Sequence, residues 1–232
     1  MADMSIYVTG DTHRDADIHK LNSEFFRTQH TLSRDDFVII LGDFGCVWDG
    51  GKTDQWWLDW HENKAYTTLF VPGNHENYEL LRQYPEEQWH GGIVRRIRPH
   101  VLMLERGEVF TIDGCKFFCM GGAQSHDMWC RIPSRSWWAE EMPSDAEYEK
   151  AVTNLKKHDW EVDYILSHCA PDSIQNKLDQ HGSYEHDKLT NFLEHIVKEK
   201  VEYWSWFFGH YHVDRIVEPG HVAVFDNIIQ IS

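Results

Sequence analysis

Phe37-Val38-Ile39-Ile40-Leu41 runs straight into Gly42-Asp43. An apolar run that ends on a small residue and then a polar one is the repeating pattern of this chain. Ile6-Tyr7-Val8-Thr9 leads to Gly10-Asp11, and Leu69-Phe70-Val71-Pro72 leads to Gly73-Asn74-His75. Tyr164-Ile165-Leu166 leads to Ser167-His168, and Trp206-Phe207-Phe208 to Gly209-His210. Short β-branched or aromatic runs bounded by turn residues read as buried strands. Between them lie helical patterns. Leu189, Phe192, Leu193, Ile196 and Val197 form one apolar face. Ile18, Leu21, Phe25 and Phe26 suggest a helix after the first strand, and Trp56, Trp57 and Trp60 one after the second, packed on the sheet. Strand and helix in alternation imply βαβ units and a sheet covered on both faces. In such sheets the loops leaving the C-terminal strand ends gather at one rim, where ligands bind. The five polar endings are therefore expected to converge.

The middle of the chain changes character. Val101–Leu104, Glu108–Ile112 and Lys116–Met120 read as short strands, with turns at Arg106-Gly107 and Asp113-Gly114. Residues 121–145 are rich in Gly, Pro, Trp and charge and lack periodicity, which marks a functional loop on the substrate side. Val213–Val217, Val222–Phe225 and Ile228–Ile231 suggest antiparallel hairpins, so the sheets are mixed. A length of 232 residues fits a single domain spanning 1–232 that buries its own core.

With 22 basic and 38 acidic side chains, the net charge is −16. That excludes a simple electrostatic nucleic-acid binder, which needs a basic face. It leaves room for a phosphate substrate if a cation is present. Five cysteines without paired spacing fit reduced thiols, and Cys115 and Cys119 read as strand residues. The start Met1-Ala2-Asp3-Met4-Ser5 lacks a signal-peptide pattern, and no apolar run approaches the roughly 18 residues of a membrane span. Cytoplasm is the expected location.

Chemistry concentrates at the strand ends. Asp11 and His13 are two apart, as are His210 and His212. In extended backbone such pairs point to one side, so each is expected to grip one centre. Asp43, Asn74, His75 and His168 complete a mixed N/O donor set without thiolate, suited to Mn, Fe or Zn.

Taken in order, Asp11-Thr12-His13, Gly42-Asp43, Gly73-Asn74-His75-Glu76, His168 and Gly209-His210-Tyr211-His212 resemble the motifs of the calcineurin-like metallophosphoesterases. The resemblance spans residues 11 to 212. It implies a four-layer α/β/β/α sandwich of two mixed β-sheets flanked by helices. It also implies two divalent ions, manganese favoured. One would be held by Asp11, His13, Asp43 and His212, the other by Asp43, Asn74, His168 and His210, with Asp43 as the bridge. The implied reaction is in-line attack on a phosphate ester by a hydroxide formed between the ions. Asp43 and His75 are the implied catalytic residues, with His75 near the leaving oxygen as acid or charge stabiliser.

Two departures matter. The protein-phosphatase branch continues Gly-Asp into Gly-Asp-x-x-Asp-Arg-Gly, whereas this chain reads Gly42-Asp43-Phe44-Gly45-Cys46-Val47-Trp48-Asp49-Gly50. Cys46 stands where an Asp would orient the catalytic His, with Asp49 as a candidate substitute. The phosphate-gripping Arg is missing, and Arg131 or Arg135 is its candidate replacement. Arg14 stands where the family usually has Gly and is a further candidate phosphate contact, as is Asn74.

Other features read as structural. Trp137 and Trp138 fill core, Cys169 is a buried inert thiol, and Glu140-Glu141 with Asp145, Glu147 and Glu149 is a solvated helix start. The remaining histidines, His181 included, are solvated or singly bonded, and His126 is the one worth testing. The chain is therefore expected to hydrolyse a small phosphomonoester or nucleotide-type substrate. A Ser/Thr phosphoprotein or a phosphodiester is the alternative substrate, and a non-catalytic partner-binding module on the same fold is the competing class. All seven implied ligands are present, which favours the enzyme. Two divalent ions bring the charge only to about −12, which favours small esters over long nucleic acids. No membrane partner is expected, and the sequence leaves the oligomeric state open.

Overall fold

A computed structural model describes residues 4–179, 182 and 184–232. Residues 1–3 and His181 of the sequence reading lie outside them. In chain order the strands and helices are β1 (Ile6–Thr9), β2 (Phe37–Ile40), α1 (Lys52–Glu62), β3 (Thr67–Phe70) and α2 (Tyr78–Leu81). Then come β4 (Glu86–Trp89), β5 (Gly92–Arg98), β6 (Val101–Leu104), β7 (Glu108–Ile112), β8 (Cys115–Met120) and α3 (Asp145–Lys157). They are followed by β9 (Tyr164–Ser167), α4 (Asp172–Leu178), α5 (Lys188–Phe192) with a π-helical continuation (Leu193–Lys198), β10 (Ser205–Phe208), β11 (Arg215–Glu218), β12 (His221–Ala223) and β13 (Ile228–Gln230).

The strands form two mixed sheets, ordered β13-β1-β2-β3-β6-β5-β4 and β11-β12-β10-β9-β8-β7. Strands β1, β2, β3 and β6 run parallel in the first, and β8, β9, β10 and β12 in the second. Side-chain alternation builds the layers. Ile6, Val8, Ile39 and Leu69 face Phe117, Leu166 and Phe207 between the sheets. Their neighbours Tyr7, Val38, Ile40 and Phe70 face outward, under Leu21 and Leu58. On the other outer face, Phe118, Ile165, Trp206 and Phe208 pack under Ala151, Leu155, Ile174, Leu189 and Leu193. The result is the expected α/β/β/α sandwich.

Three expectations need correction, and one hairpin was not expected. The stretch after β1 is not a helix but two 3-10 turns, Ile18–Leu21 and Arg27–Thr31, and Phe25 is exposed. Asp15, Asp17, Asn22 and Ser23 are residue types that favour caps and turns over helix interiors, which disfavours helix propagation there. Helix α1 forms with Asp54, Leu58 and His61 buried; Trp57 and Trp60 pack partly buried on the core as expected, but Trp56 is exposed at the surface. The β4–β5 hairpin is absent from the sequence reading because it is an edge element written in charge, with Arg95 on Glu86 and Arg96 on Glu87. The C-terminal segment is split rather than a run of hairpins. β11 and β12 pair antiparallel, β12 lies parallel to β10, and β13 crosses to the other sheet to pair with β1. Segment 121–145 is irregular apart from single turns at Met128–Cys130 and Ala139–Glu141.

Candidate metal centre

The parallel strands β1, β2 and β3 end at one rim, beside the ends of β9 and β10 of the other sheet, and the polar endings meet there. Asp11, His13 and His212 present ligand atoms within 4.8 Å of one another, as do Asp11, Asp43 and His168. His13, Asp43 and His75 form a third such group. Asn74 joins through Oδ1, 3.0 Å from His168 Nε2. The His210 ring lies 5.0 Å from that of His168, centroid to centroid.

The pairs two apart do not act as extended-strand pairs. His13, Asp43, His210 and His212 all have positive φ, at 41°, 47°, 66° and 49°. Non-glycine residues adopt this region at a cost of roughly 1–3 kcal/mol each, and such strain gathers at functional sites. The tight turns send His210 and His212 apart: His212 Nε2 approaches Asp11 Oδ2 at 3.0 Å, while the His210 ring lies edge-on to His168 and stacks on His126.

Each motif's small residue makes room for another motif's carboxylate. A Cβ on Gly73 would lie 2.1 Å from Asp43 Oδ1, and one on Gly209 would lie 2.2 Å from Asp11 Oδ1. The same oxygens accept backbone N–H groups, Asp43 Oδ1 from His75 at 2.7 Å and Asp11 Oδ1 from His210 at 3.0 Å.

The donor chemistry fits cations. His168 Nδ1 donates to the Leu41 carbonyl at 2.8 Å, and His13 Nδ1 faces Asp17 Oδ2 at 2.8 Å. With those nitrogens committed as donors, each neutral ring would aim a bare Nε2 lone pair at Asp43, 3.3 Å and 3.1 Å away. Lone pair against lone pair repels unless a cation stands between. Protons alone fill that role only by large shifts. Burial pulls both imidazoles down, but the Asp43 and Asp11 carboxylates override it and push each to about 9. Burial raises the Asp43 carboxyl, yet His168 and His13 hold it well below its ordinary range. Asp11 Oδ2 is buried with no aligned hydrogen bond. Burial and neighbouring His168 press His210 down to about 3, so its ring is neutral and able to ligate.

The profile of the calcineurin-like phosphoesterases matches residues 4–214. The chain belongs to that family. It is accordingly a metal-dependent phosphoesterase, a hydrolase of phosphate esters. A search of curated proteins returned no match. Among solved structures, a phosphopantetheinyl hydrolase from Mycobacterium tuberculosis is similar, with a TM-score of 0.45 and 14% identity over 97% of this chain and 89% of that one.

Around this calcineurin-like centre, the substrate-side residues sort differently from the sequence expectation. Arg14 turns away to Asp15 and Asp54, at 3.0 and 3.5 Å. Arg135 is exposed and does not line the central cleft. Asp49 spends Oδ1 on the Gly51 N–H and is exposed, so it is not placed to orient His75. Arg131 is brought in. Its two terminal nitrogens lie 3.1 Å from the two ring nitrogens of His75, and its Nε is 2.6 Å from Asp127. A neutral imidazole has one acceptor, so only one of those two approaches is a full hydrogen bond. Burial and Arg131 both hold the His75 ring below its usual pKa, against Asp43. Cys46 is buried, its thiol pushed well up by burial, and has no place in the cleft.

Several supporting residues escape the sequence reading. Buried Lys20 donates to the Asp11 and Phe225 carbonyls, and Phe225 stacks on His212. Glu76 accepts the Phe44 and Gly45 N–H groups, locking the Gly42-Asp43 turn to the Asn74-His75 turn. Asp17 lies four residues after His13 across a turn, a spacing that is visible in sequence. Glu141, expected in solvent, is only 1% exposed and holds Ser125.

Proposed function

We propose that this chain hydrolyses small phosphomonoesters, with two divalent transition-metal ions, manganese favoured. One ion is assigned to Asp11, His13, Asp43 and His212, the other to Asp43, Asn74, His168 and His210. Bound there, such ions supply charge neutralisation of phosphoryl oxygens and a water with pKa near neutrality. The carrying observation is the convergence of these side chains on one rim, opening into a cleft of about 270 Å³ that His75 and Arg131 also line.

The protein's own groups divide the work. Asp43 is assigned to both sets, a role supported by its contacts with His13, His168 and the His75 N–H. Arg131, oriented by Asp127, is assigned to the non-bridging phosphate oxygens, replacing the Arg absent after Gly42-Asp43. His75, beside it, is assigned to the leaving oxygen.

A second pocket of about 310 Å³ adjoins the cleft and shares His126 and His210 with it. Gln124, Gln175, Glu185, Trp129 and Met128 help to line it, and no Lys or Arg does. A neutral, hydrogen-bonding leaving group suits this lining, and a second phosphate does not. That supports an uncharged leaving group over one that carries a further phosphate, as small monoesters offer. Free thiols at all five cysteines suit the cytoplasm, and we read the chain as one domain. Among the described residues no helix is long and apolar enough to cross a membrane.

Metal analysis, with p-nitrophenyl phosphate and its bis ester run side by side, tests the reading. Bound Mn, Mn-stimulated monoester hydrolysis and loss of both activities in Asp43→Asn are expected. Faster diester hydrolysis would move the assignment to phosphodiesterase, and absence of both metal and activity would leave the partner-binding module.

A further inference from the structure

Asn74 has to present oxygen, not its NH2, to a metal ion, yet the two ends of a carboxamide are nearly equal in shape. The surrounding hydrogen bonds remove that ambiguity. Asn74 Nδ2 donates to Ser125 Oγ at 3.1 Å, while Oδ1 lies 3.0 Å from His168 Nε2. Ser125 in turn donates its hydroxyl to Glu141 Oε2 at 2.7 Å and its backbone N–H to Glu141 Oε1 at 2.8 Å. All three residues are buried, at 5%, 3% and 1% exposure.

We propose that Glu141 and Ser125 are positioning residues that fix the polarity of the Asn74 carboxamide and so complete the second metal set. The logic runs outward from the carboxylate. An ionised carboxylate only accepts, so it takes the single hydroxyl proton of Ser125. Ser125 Oγ is then left with lone pairs alone on the side that faces Asn74. Only the NH2 end of Asn74 satisfies them, and Oδ1 is turned toward His168 and the centre. Burial raises the Glu141 carboxyl somewhat, but the two Ser125 donors oppose that rise. The same bonds pin the irregular segment over the rim, which sets the adjoining His126 between the cleft and its side pocket.

This proposal rests on Asn74 being a ligand, and the experiment separates the two. Mn²⁺ alone is titrated calorimetrically into the metal-free full chain and its variants, with melting temperature as the check on folding. In Glu141→Gln the new amide donates to Ser125 Oγ and frees the hydroxyl proton to point at Asn74, which reverses the carboxamide. The second Mn²⁺ is expected to bind roughly 10- to 100-fold more weakly while the first is unchanged. Ser125→Ala keeps the backbone bond to Glu141 and leaves the carboxamide undirected, so it should weaken the same site if Glu141→Gln does not fold. In an Asn74→Asp background Glu141→Gln should cost nothing further, since either carboxylate oxygen ligates. Wild-type affinity in Glu141→Gln and Ser125→Ala, with the second ion lost in Asn74→Ala, overturns the positioning role. Wild-type binding in Asn74→Ala overturns the ligand assignment beneath it.

Discussion

Asp43 Oδ1 occupies the space that a side chain on Gly73 would need: a methyl there would sit 2.1 Å from that oxygen and 2.3 Å from the Asp43 nitrogen. Two motifs separated by a strand and a helix therefore interlock at atomic contact. The glycine matters for what approaches it, because its own backbone lies outside the left-handed region.

Gly73→Ala tests this interlock. Alanine tolerates the backbone, so the expected damage is steric, a shift of Asp43 out of the centre. Overpacking of this kind costs roughly 1–3 kcal/mol of stability. Mn²⁺ affinity, read by calorimetry, should fall roughly 10- to 100-fold. A variant that binds Mn²⁺ as the parent does would show that Asp43 need not sit against Gly73.

The strand ends were legible because each combines a buried apolar run with a small residue and a potential ligand, and parallel strands bring such ends to one rim. Side-chain period was less informative where tertiary contacts decide exposure. In α1 Leu58 and His61 take the fully buried positions, Trp57 and Trp60 pack at the edge of that core and Trp56 is exposed, while Asp54 at the helix start accepts the N–H groups of Trp48, Asp49 and Gly50. Arg131 and Glu141 lie in a segment without periodicity, so sequence offered Arg131 only as one candidate beside Arg135 and placed Glu141 in solvent. An acidic residue next to another acidic residue looks like a charged surface, and only the fold reveals that one of the two turns inward onto Ser125.

Arg131 carries the next prediction. It lies against His75 at the cleft rather than at the surface, 13% exposed at the side chain. Hydrogen bonds to charged groups contribute roughly 1.5–3 kcal/mol, so Arg131→Ala should lower kcat/KM for p-nitrophenyl phosphate about 10- to 100-fold. Arg131→Lys should recover only part of this, because an ammonium lacks the guanidinium fork. Steady-state kinetics at saturating Mn²⁺ checks both, and unchanged kcat/KM in the alanine variant would remove Arg131 from the phosphate site.

The metal-free protein should lose stability as pH rises. His13 and His168 have folded pKa values raised from 6.5 to about 9. Their stabilisation is therefore complete below about 6.5 and lost as pH climbs through 9. For buried His168 the loss is on the order of 3 kcal/mol, shared with the coupled Asp43. On the acid side Asp43, lowered below 3.8, contributes stability present above that value and lost as pH falls through its own pKa. Urea unfolding in EDTA at pH 6.5 and 9.5 reads the basic limb. Mn²⁺ takes the place of those protons, so its presence should flatten the decline, and equal stability at both pH values without metal would contradict the facing-acceptor geometry.

Trp129 provides the test of where the leaving group goes. It lines the side pocket, yet the residue is 88% exposed, so nothing in the fold requires that ring. If an aromatic leaving group rests against it, the contact contributes roughly 0.5–1.5 kcal/mol. Trp129→Ala should then raise KM roughly three- to tenfold for p-nitrophenyl phosphate or a nucleoside monophosphate. Because Trp129 is not assigned to the ligand set, kcat should change little. A short alkyl phosphate, too small to reach the pocket, should show no change in KM. An equal rise in KM for the alkyl and aromatic esters would instead mean that the substitution disturbs segment 121–145 as a whole, and that the leaving group lies elsewhere.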